Sequence, residues 1–209
     1  GFSWRALLAC QAVFLSFYLV GALVAAWQRL ADGLLFDLPL RLLVGYAVVN
    51  TALLGLAWLS PLGIVGNFTV VIALALAVLF SAGTRRATPA NGVSLAVVAL
   101  AVVATTLWCQ DSIQPIDAHD GRLLFKPWVD GFYHAVHIRI FGASHGAHSI
   151  EDFRLAGVAA RPYHYGMYLL PALVKQASGL DSYSVFAALL APVGVVFTGL
   201  AAYALFGSC

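Results

Sequence analysis

The sequence predicts an all-α protein, a polytopic bundle of about six transmembrane helices with one large external loop that contains an amphipathic interfacial helix. Hydrophobic residues make up 62% of the chain and charged residues only 10%, with a mean hydropathy of +0.91, whereas a water-soluble domain carries about 25% charged residues. The apolar residues gather in windows of about 20, the length that crosses the hydrocarbon core of a bilayer. The net charge of +2 comes from scattered basic residues and does not indicate a nucleic-acid partner.

Residues 1–108 form the first predicted unit, with four transmembrane helices. Turn or charge signals bound each helical window. The windows are residues 6–27, 38–59, about 62–82 and 92–108. Pro39 suits the first turn of the second window, where its missing N–H costs no hydrogen bond. Trp108 ends the fourth window with an aromatic ring typical of the lipid–water interface.

Polar residues concentrate in the second predicted unit, an external loop over residues 109–161. This loop holds six of the nine acidic residues and five of the six histidines. Residues 127–141 within it predict an amphipathic helix, because Pro127 suits a first helical turn and the sequence FG at 141–142 supplies a stop. We expect this helix to lie at the interface between lipid and water.

Residues 162–209 form the third unit, with two further membrane helices. The first, YGMYLLPALVKQASG, is short and contains Pro171, which is compatible with a tilted or partly re-entrant helix. The second covers residues 183–206. Arg85 and Arg86 form the only adjacent basic pair, and the positive-inside rule places their turn in the cytoplasm. Because successive spans cross the membrane in opposite directions, the N-terminus and the large loop then lie on the external side.

The candidate catalytic residues are Asp130 and His134 on the amphipathic helix. Helical spacing puts them and His137 at i, i+4 and i+7 on one face. A carboxylate and an imidazole one turn apart hold a divalent cation (Mg²⁺ or Mn²⁺), or the carboxylate orients the imidazole while the imidazole moves a proton. Asp111, directly after the fourth span, is a third candidate metal ligand. The alternative is an ordinary solvated face of an interfacial helix.

The segment RPYHYGMYLLP supplies candidate substrate-binding residues. Arg161 offers a fixed cation and His164 a hydrogen-bond donor, a combination that suits a phosphate group. Tyr163 and Tyr165 flank His164, and His137 is the fifth candidate for substrate binding. The tyrosines are equally typical of an aromatic belt at the level of the lipid headgroups.

Two segments together resemble a known family. The acidic segment WVDGFYHAVHI, followed by RPYHYGMYLLPAL at the entry to a membrane helix, is similar to the GT-C superfamily of polytopic glycosyltransferases, and more narrowly to bacterial proteins of the protein-mannosyltransferase type. The resemblance implies an enzyme of the bacterial cytoplasmic (inner) membrane that takes a sugar from a polyprenyl-phosphate carrier at the outer face. It implies that Asp130 acts as the base or holds a divalent cation beside His134. Arg161 and His164 would then lie near the carrier phosphate.

The resemblance covers about residues 105–206. The superfamily uses more spans than six, so we expect the chain to be an N-terminal fragment of such an enzyme. The implied partners are membrane lipid and a lipid-linked sugar donor.

Two other classes of function remain open from the residues alone. Stretches rich in Ala and Gly, such as GALVAA, allow helices to approach closely, which fits a non-catalytic subunit that packs with other membrane subunits in a larger complex. A transporter is the other class. It is disfavoured because the middle of the confident spans lacks the charged residues that a coupling or substrate site needs.

Overall fold

The computed structural model describes residues 4–27, 38–81, 92–113, 116–118, 122–124, 130–143, 158 and 165–206. Helices dominate these ranges, in the order α1 (Trp4–Trp27), α2 (Leu38–Leu59), α3 (Gly63–Ser81), α4 (Gly92–Ile113), α5 (Gly131–Ala143), α6 (Gly166–Ser178), α7 (Ser182–Val185) and α8 (Ala191–Phe206). A π-helical segment, Phe186–Leu190, connects α7 to α8. Two short strands, β1 (Ile116–Ala118) and β2 (Arg122–Leu124), lie between α4 and α5.

Five of the described helical stretches are long and apolar enough to cross a membrane. They are α1, α2, α3, the Gly92–Gln110 part of α4, and the continuous stretch Ser182–Phe206, which we call the last span. Their outward faces carry large apolar side chains such as Leu59, Phe80 and Trp108, all at least 80% exposed. Such faces are costly in water and are the ordinary surface of a helix in lipid. The five helices indicate an integral membrane protein, as the composition predicted.

The bounds of the spans follow the predicted windows closely, with one exception. α1, α2, α3 and the last span begin and end within two residues of their windows. α4 continues to Ile113 instead of ending at Trp108, because extending an established helix costs far less than starting one. The predicted boundary between the first unit and the external loop therefore lies inside α4.

α6 departs most from the predicted spans. It has 13 residues, a length of about 20 Å against roughly 30 Å of hydrocarbon, so this helix is too short to cross the membrane by itself. Gly179 ends it with a left-handed φ of 75°, and the N–H of Gly179 donates to the carbonyl of Lys175 at 2.9 Å. Every side chain from Tyr168 to Val174 is buried, Pro171 included. The packing of this face stabilises α6 in spite of the proline within it.

α1 and α2 make close backbone contact at two glycines. A Cβ atom on Gly21 would overlap the carbonyl oxygen of Arg41, and a Cβ atom on Gly45 would overlap the carbonyl oxygen of Phe17. These pairings make the two helices antiparallel. In lipid, the gain from such a contact is van der Waals packing between backbones that only small residues allow.

β1 and β2 form an antiparallel hairpin inside the predicted external loop. Ile116 pairs with Leu124, and Ala118 pairs with Arg122. The three residues between the strands read HDG, and the dipeptide Asp-Gly is a strong signal for a hairpin. The all-α prediction therefore describes the bundle correctly and misses this hairpin.

α5 packs against α6 and against the beginning of the last span. A Cβ atom on Gly131 would lie 3.1 Å from the ring of Tyr183 and 3.3 Å from the ring of Phe186, and a Cβ atom on Gly142 would lie 3.5 Å from the carbonyl oxygen of Ala172. The predicted stop at residues 141–142 lies within two residues of the end of α5, and Gly142 lies inside the helix, where its missing side chain lets α5 approach α6. α5 thus ends at Ala143 rather than at residue 141.

Candidate functional site

Asp130 and His134 lie together at the start of α5. The N–H of His134 donates to the carbonyl oxygen of Asp130 at 3.0 Å, so the two residues are one helical turn apart, as the spacing predicted. The Asp130 side chain is exposed and the His134 side chain is half-buried. The carboxylate therefore meets solvent, while the imidazole is partly enclosed by protein.

Neighbouring helices fix the ring of His134. Its Nδ1 lies 2.8 Å from the hydroxyl oxygen of Tyr168 on α6, a hydrogen bond whose direction depends on the imidazole tautomer. The ring stacks on Phe186, with 5.0 Å between the ring centroids and 17° between the ring planes. α6 and the last span thus hold this imidazole from two sides.

Burial has the largest effect on the pKa of His134. Loss of solvent lowers the pKa of the imidazole, the negative charge of Asp130 raises it, and the neighbouring His137 lowers it further. The net effect puts the pKa of His134 below its usual value of 6.5. The imidazole is therefore mainly neutral at pH 7, with one nitrogen that donates a hydrogen bond and one that accepts.

His137 belongs to an aromatic cluster that it forms with Tyr133, Tyr165, Tyr168 and Phe141. Its Nδ1 lies 2.9 Å from the carbonyl oxygen of Tyr133, and because a carbonyl oxygen only accepts, Nδ1 carries the proton. The ring stacks on Tyr168 at 4.8 Å, and only 8% of the residue is exposed. These contacts are typical of a histidine that packs in the protein core with its ring N–H hydrogen-bonded.

The histidine side of α5 faces protein rather than open solvent. Its buried residues are Gly131, Ala135, His137, Ile138, Phe141 and Gly142, whereas Phe132 and Arg139 are exposed. The hydrophobic pattern by itself favours burial of the other side of the helix, which carries Tyr133, Val136 and Ile140. The two glycines explain the difference, because they mark the side on which α5 touches its neighbours most closely.

A cavity of 1210 Å³ opens beside His134. Its described wall residues come from α1, α2, α4, α5, α6 and the last span, and most of them are apolar. Polar residues in the wall include His134, Tyr46 and Thr198. The cavity exceeds the roughly 300–1,000 Å³ of sites that hold drug-sized ligands.

The wall of the cavity covers much of the last span. Wall residues on that span extend from Phe186 to Ala201, which is about 22 Å along a helix axis at 1.5 Å per residue. His134 and Trp108, near the end of α4, line the cavity together with Phe186. The polar group of α5 therefore lies at the loop end, and the remainder of the cavity runs into the apolar bundle.

The other predicted substrate-binding residues are placed differently. Tyr165 is buried, and its ring packs edge-on against Phe141 at 4.9 Å. Neither Tyr165 nor His137 belongs to the described wall of the cavity. Arg161, Tyr163 and His164 lie outside the described residues.

The structure describes the side chains of two of the three predicted ligands of the divalent cation. Asp130 and His134 are adjacent, whereas Asp111 is in the last turn of α4 and its side chain lies outside the described part of the chain. Among the described residues, no group of three or more His, Cys, Asp or Glu side chains is arranged to hold a metal ion. The Mg²⁺ or Mn²⁺ site therefore stays a prediction from the sequence.

Sequence reasoning did not find two contributors to this site. Tyr168 is 34 residues from His134 in the sequence, and a tyrosine at the entry to an apolar segment is typical of an aromatic belt. Phe186 belongs to an apolar run in which no residue stands out. Only the three-dimensional contacts identify them.

No protein-family model, curated protein sequence or solved structure matches this chain.

Proposed function

We propose that this protein is a membrane-embedded glycosyltransferase-like enzyme, which transfers a sugar from a polyprenyl-phosphate donor at the outer face of the bacterial cytoplasmic membrane. The cavity is the observation that supports this proposal most strongly. Its mostly apolar wall covers about 22 Å of the last span, and His134 in this wall is one helical turn from an exposed carboxylate. A lipid-linked sugar has the same division between a long apolar chain and a polar head.

In the proposed reaction, Asp130 acts as the general base. Its carboxylate takes the proton of an acceptor hydroxyl, and the acceptor oxygen forms a bond to the anomeric carbon of the sugar. The bond between that carbon and the phosphate oxygen breaks, and its electron pair leaves with the lipid phosphate. His134 stabilises the charge that develops on this phosphate, as do Arg161 and His164 by the family resemblance. A divalent cation held by Asp130, His134 and Asp111 would supply Lewis-acid assistance, although no step above depends on it.

The proposed orientation places the large loop outside and the turn with Arg85 and Arg86 inside. α5 contacts Tyr168, in the first turn of α6, and Phe186, near the start of the last span. Both helices therefore begin on the loop side of the membrane, at the depth of α5. The chain leaves α6 on this same side, so α6 does not cross the membrane. This arrangement has five spans, and it puts the end of the last span in the cytoplasm.

Labelling with a membrane-impermeant maleimide tests this orientation. In a background with Cys10, Cys109 and Cys209 replaced by serine, Gly121→Cys and Leu180→Cys are expected to react in intact cells. Gly83→Cys is expected to react only after permeabilisation. Protection of Leu180→Cys in intact cells would show that α6 crosses the membrane and that the spans number six.

The catalytic assignment is tested by Asp130→Asn in proteoliposomes that contain polyprenyl-phosphate sugars. We expect the rate of sugar transfer to fall by about 10²–10⁴-fold, the usual contribution of a general base. Asp181→Asn is the matched control, because it makes the same chemical change near the start of the last span. Asn also preserves the N-cap acceptor for the N–H of Ser184, which lies 2.9 Å from Asp181 Oδ1.

Equal transfer by the wild type and Asp130→Asn would remove Asp130 from the mechanism. A folded wild type that transfers no sugar from any polyprenyl donor would favour the non-catalytic subunit of a larger membrane complex. In that case, the loop side of the purified complex is expected to be covered by another chain.

A further inference from the structure

Three aromatic rings in the wall of the cavity contact one another where α1, α2 and the last span meet. They belong to Phe17, Tyr46 and Phe197, which we call the aromatic triad. The ring centroids are 5.5 Å apart for Phe17 and Tyr46, 5.8 Å for Phe17 and Phe197, and 4.7 Å for Tyr46 and Phe197. Such distances are favourable for aromatic pairs. The triad therefore connects α1 to the last span across the cavity that both helices line.

The triad lies far from the polar end of the cavity. His134 stacks on Phe186, and Phe197 follows Phe186 by 11 residues, which is about 16 Å along a helix axis. Beyond Phe197 the described wall continues only on the last span, with the small residues Thr198, Gly199 and Ala201. A chain that extends from His134 along the last span therefore meets the triad before it reaches this deepest part of the wall.

The rings of the triad are packed closely enough to stop such a chain. Only 1% of Phe17 and 7% of Phe197 are exposed, so both rings are already surrounded by protein. A lipid chain could pass between them only by separating rings that are in favourable contact. The space on the His134 side of the triad is open to a chain without this cost.

We propose that the aromatic triad limits the length of lipid chain that the cavity holds. The prenyl units next to the phosphate lie between His134 and the triad, and the remainder of a longer chain lies in the bilayer. This inference rests on the proposed function for the identity of the ligand. It specifies that the protein recognises the phosphate-proximal part of a prenyl chain and is indifferent to the rest.

Competition between prenyl phosphates of different lengths tests this limit. The protein in nanodiscs receives equal amounts of geranyl, geranylgeranyl and undecaprenyl phosphate, and mass spectrometry of the repurified nanodiscs, corrected with protein-free nanodiscs, gives the ratio bound. An extended geranyl chain is shorter than the distance from His134 to the triad, whereas a geranylgeranyl chain is longer. We therefore expect the wild type to bind geranyl phosphate least and the two longer lipids equally.

Phe197→Ala removes one ring of the triad and opens the way toward Ala201. We expect this variant to favour undecaprenyl over geranylgeranyl phosphate about tenfold, as burial of about two further CH₂ groups would give. Phe206→Ala is the matched control, because it makes the same change on the same helix at a residue that is 78% exposed and outside the described wall. The control is expected to keep the ratios of the wild type.

Gly194→Phe provides a second variant that does not depend on the fold of Phe197→Ala. Gly194 lies in the wall about one turn closer to His134 than Phe197, with free space around its Cβ position. A ring there shortens the available space, so geranyl and geranylgeranyl phosphate are expected to bind equally. An unchanged preference for geranylgeranyl phosphate in this variant would overturn the inference.

A wild type that favours undecaprenyl phosphate as strongly as Phe197→Ala does would also overturn it, because the chain would then pass the triad. No binding of any prenyl phosphate to the wild type would contradict both the inference and the proposed function. The expected ratios in a protein that transfers no sugar would support the chain-length limit and contradict only the catalytic proposal.

Discussion

His134 is the residue at which the hydrogen bonding, stacking and burial of the site meet. Its ring bonds to Tyr168, stacks on Phe186 and contributes to the wall of the cavity. A histidine in this position is favoured in its neutral form, because the partly enclosed site disfavours charge more than Asp130 compensates for it. The residue is therefore suited to hydrogen bonding at neutral pH.

The pH dependence of stability follows from this lowered pKa. Above the usual value of 6.5, the imidazole is neutral in both the folded and the unfolded protein, and its contribution to stability is constant. As the pH falls through 6.5 and then through the lower pKa of the folded state, the unfolded protein binds the proton more readily, so stability is lost. Burial sets most of the size of this loss, the charge of Asp130 reduces it, and His137 increases it.

We therefore expect the thermal midpoint of the wild type to fall more between pH 7.5 and pH 5 than the midpoint of His134→Gln. Both proteins are measured in the same detergent, so that the contributions of the other histidines cancel. Equal decreases in the two proteins would mean that His134 titrates normally in the folded state.

The sequence predicted the adjacency of Asp130 and His134 because it depends only on helical spacing. It did not predict which side of α5 would be buried. Val136 and Ile140 are more hydrophobic than His137, yet they are less buried, because the close approach at Gly131 and Gly142 turns the histidine side toward α6 and the last span. Tertiary contacts thus outweigh the hydrophobic pattern of this short helix.

At the level of elements, the glycine contacts between α1 and α2 decide how closely the first two spans pack. Gly45→Ala is expected to destabilise the protein, because the new methyl group would overlap the carbonyl oxygen of Phe17 and force the helices apart. Gly55→Ala is the matched control on the same helix, since a Cβ atom there meets nothing within 4 Å. In the interior of a helix, alanine is more stabilising than glycine by roughly 0.5–1 kcal/mol.

Thermal midpoints of the two variants in one detergent provide the measurement. We expect a lower midpoint for Gly45→Ala and an equal or higher one for Gly55→Ala. A Gly45→Ala midpoint that matches the wild type would show that α1 and α2 adjust their separation at no cost.

The long spans were predictable because about 20 consecutive apolar residues have few structural alternatives. The short elements were not, for a different reason in each case. α6 has an apolar sequence but too few residues, and its stability comes from contacts that its own pattern does not reveal. The β1–β2 hairpin comprises six paired residues, too few to produce a clear alternating pattern, so its signal in the sequence is the Asp-Gly dipeptide of its turn.

At the scale of the whole molecule, the cavity combines residues from six parts of the chain. No local pattern predicts such a space, because its walls belong to helices that are distant in sequence. Gly194 lies in this wall, and a Cβ atom on it would meet nothing within 4 Å. A large side chain at this position therefore enters free space.

We expect Gly194→Phe to leave the fold intact and to raise the KM for a polyprenyl-linked donor about tenfold, which corresponds to about 1.4 kcal/mol of lost binding. Gly55→Phe is the control, because Gly55 also has free space around it and is not part of the cavity wall. Kinetic measurements with a long-chain and a short-chain donor make the test sharper. The same KM for Gly194→Phe and the wild type with both donors would exclude the cavity as the site of the lipid chain.

The π-helical segment Phe186–Leu190 holds one residue more than the α-helix that would replace it. Deletion of Ala188 would restore a regular α-helix in which the residues before and after the segment keep their present faces. Deletion of Ala202 would rotate every later residue by about 100° about the helix axis. Since Phe186, Leu189 and Leu190 line the cavity, the additional residue lies in the stretch of the last span that forms this part of the wall.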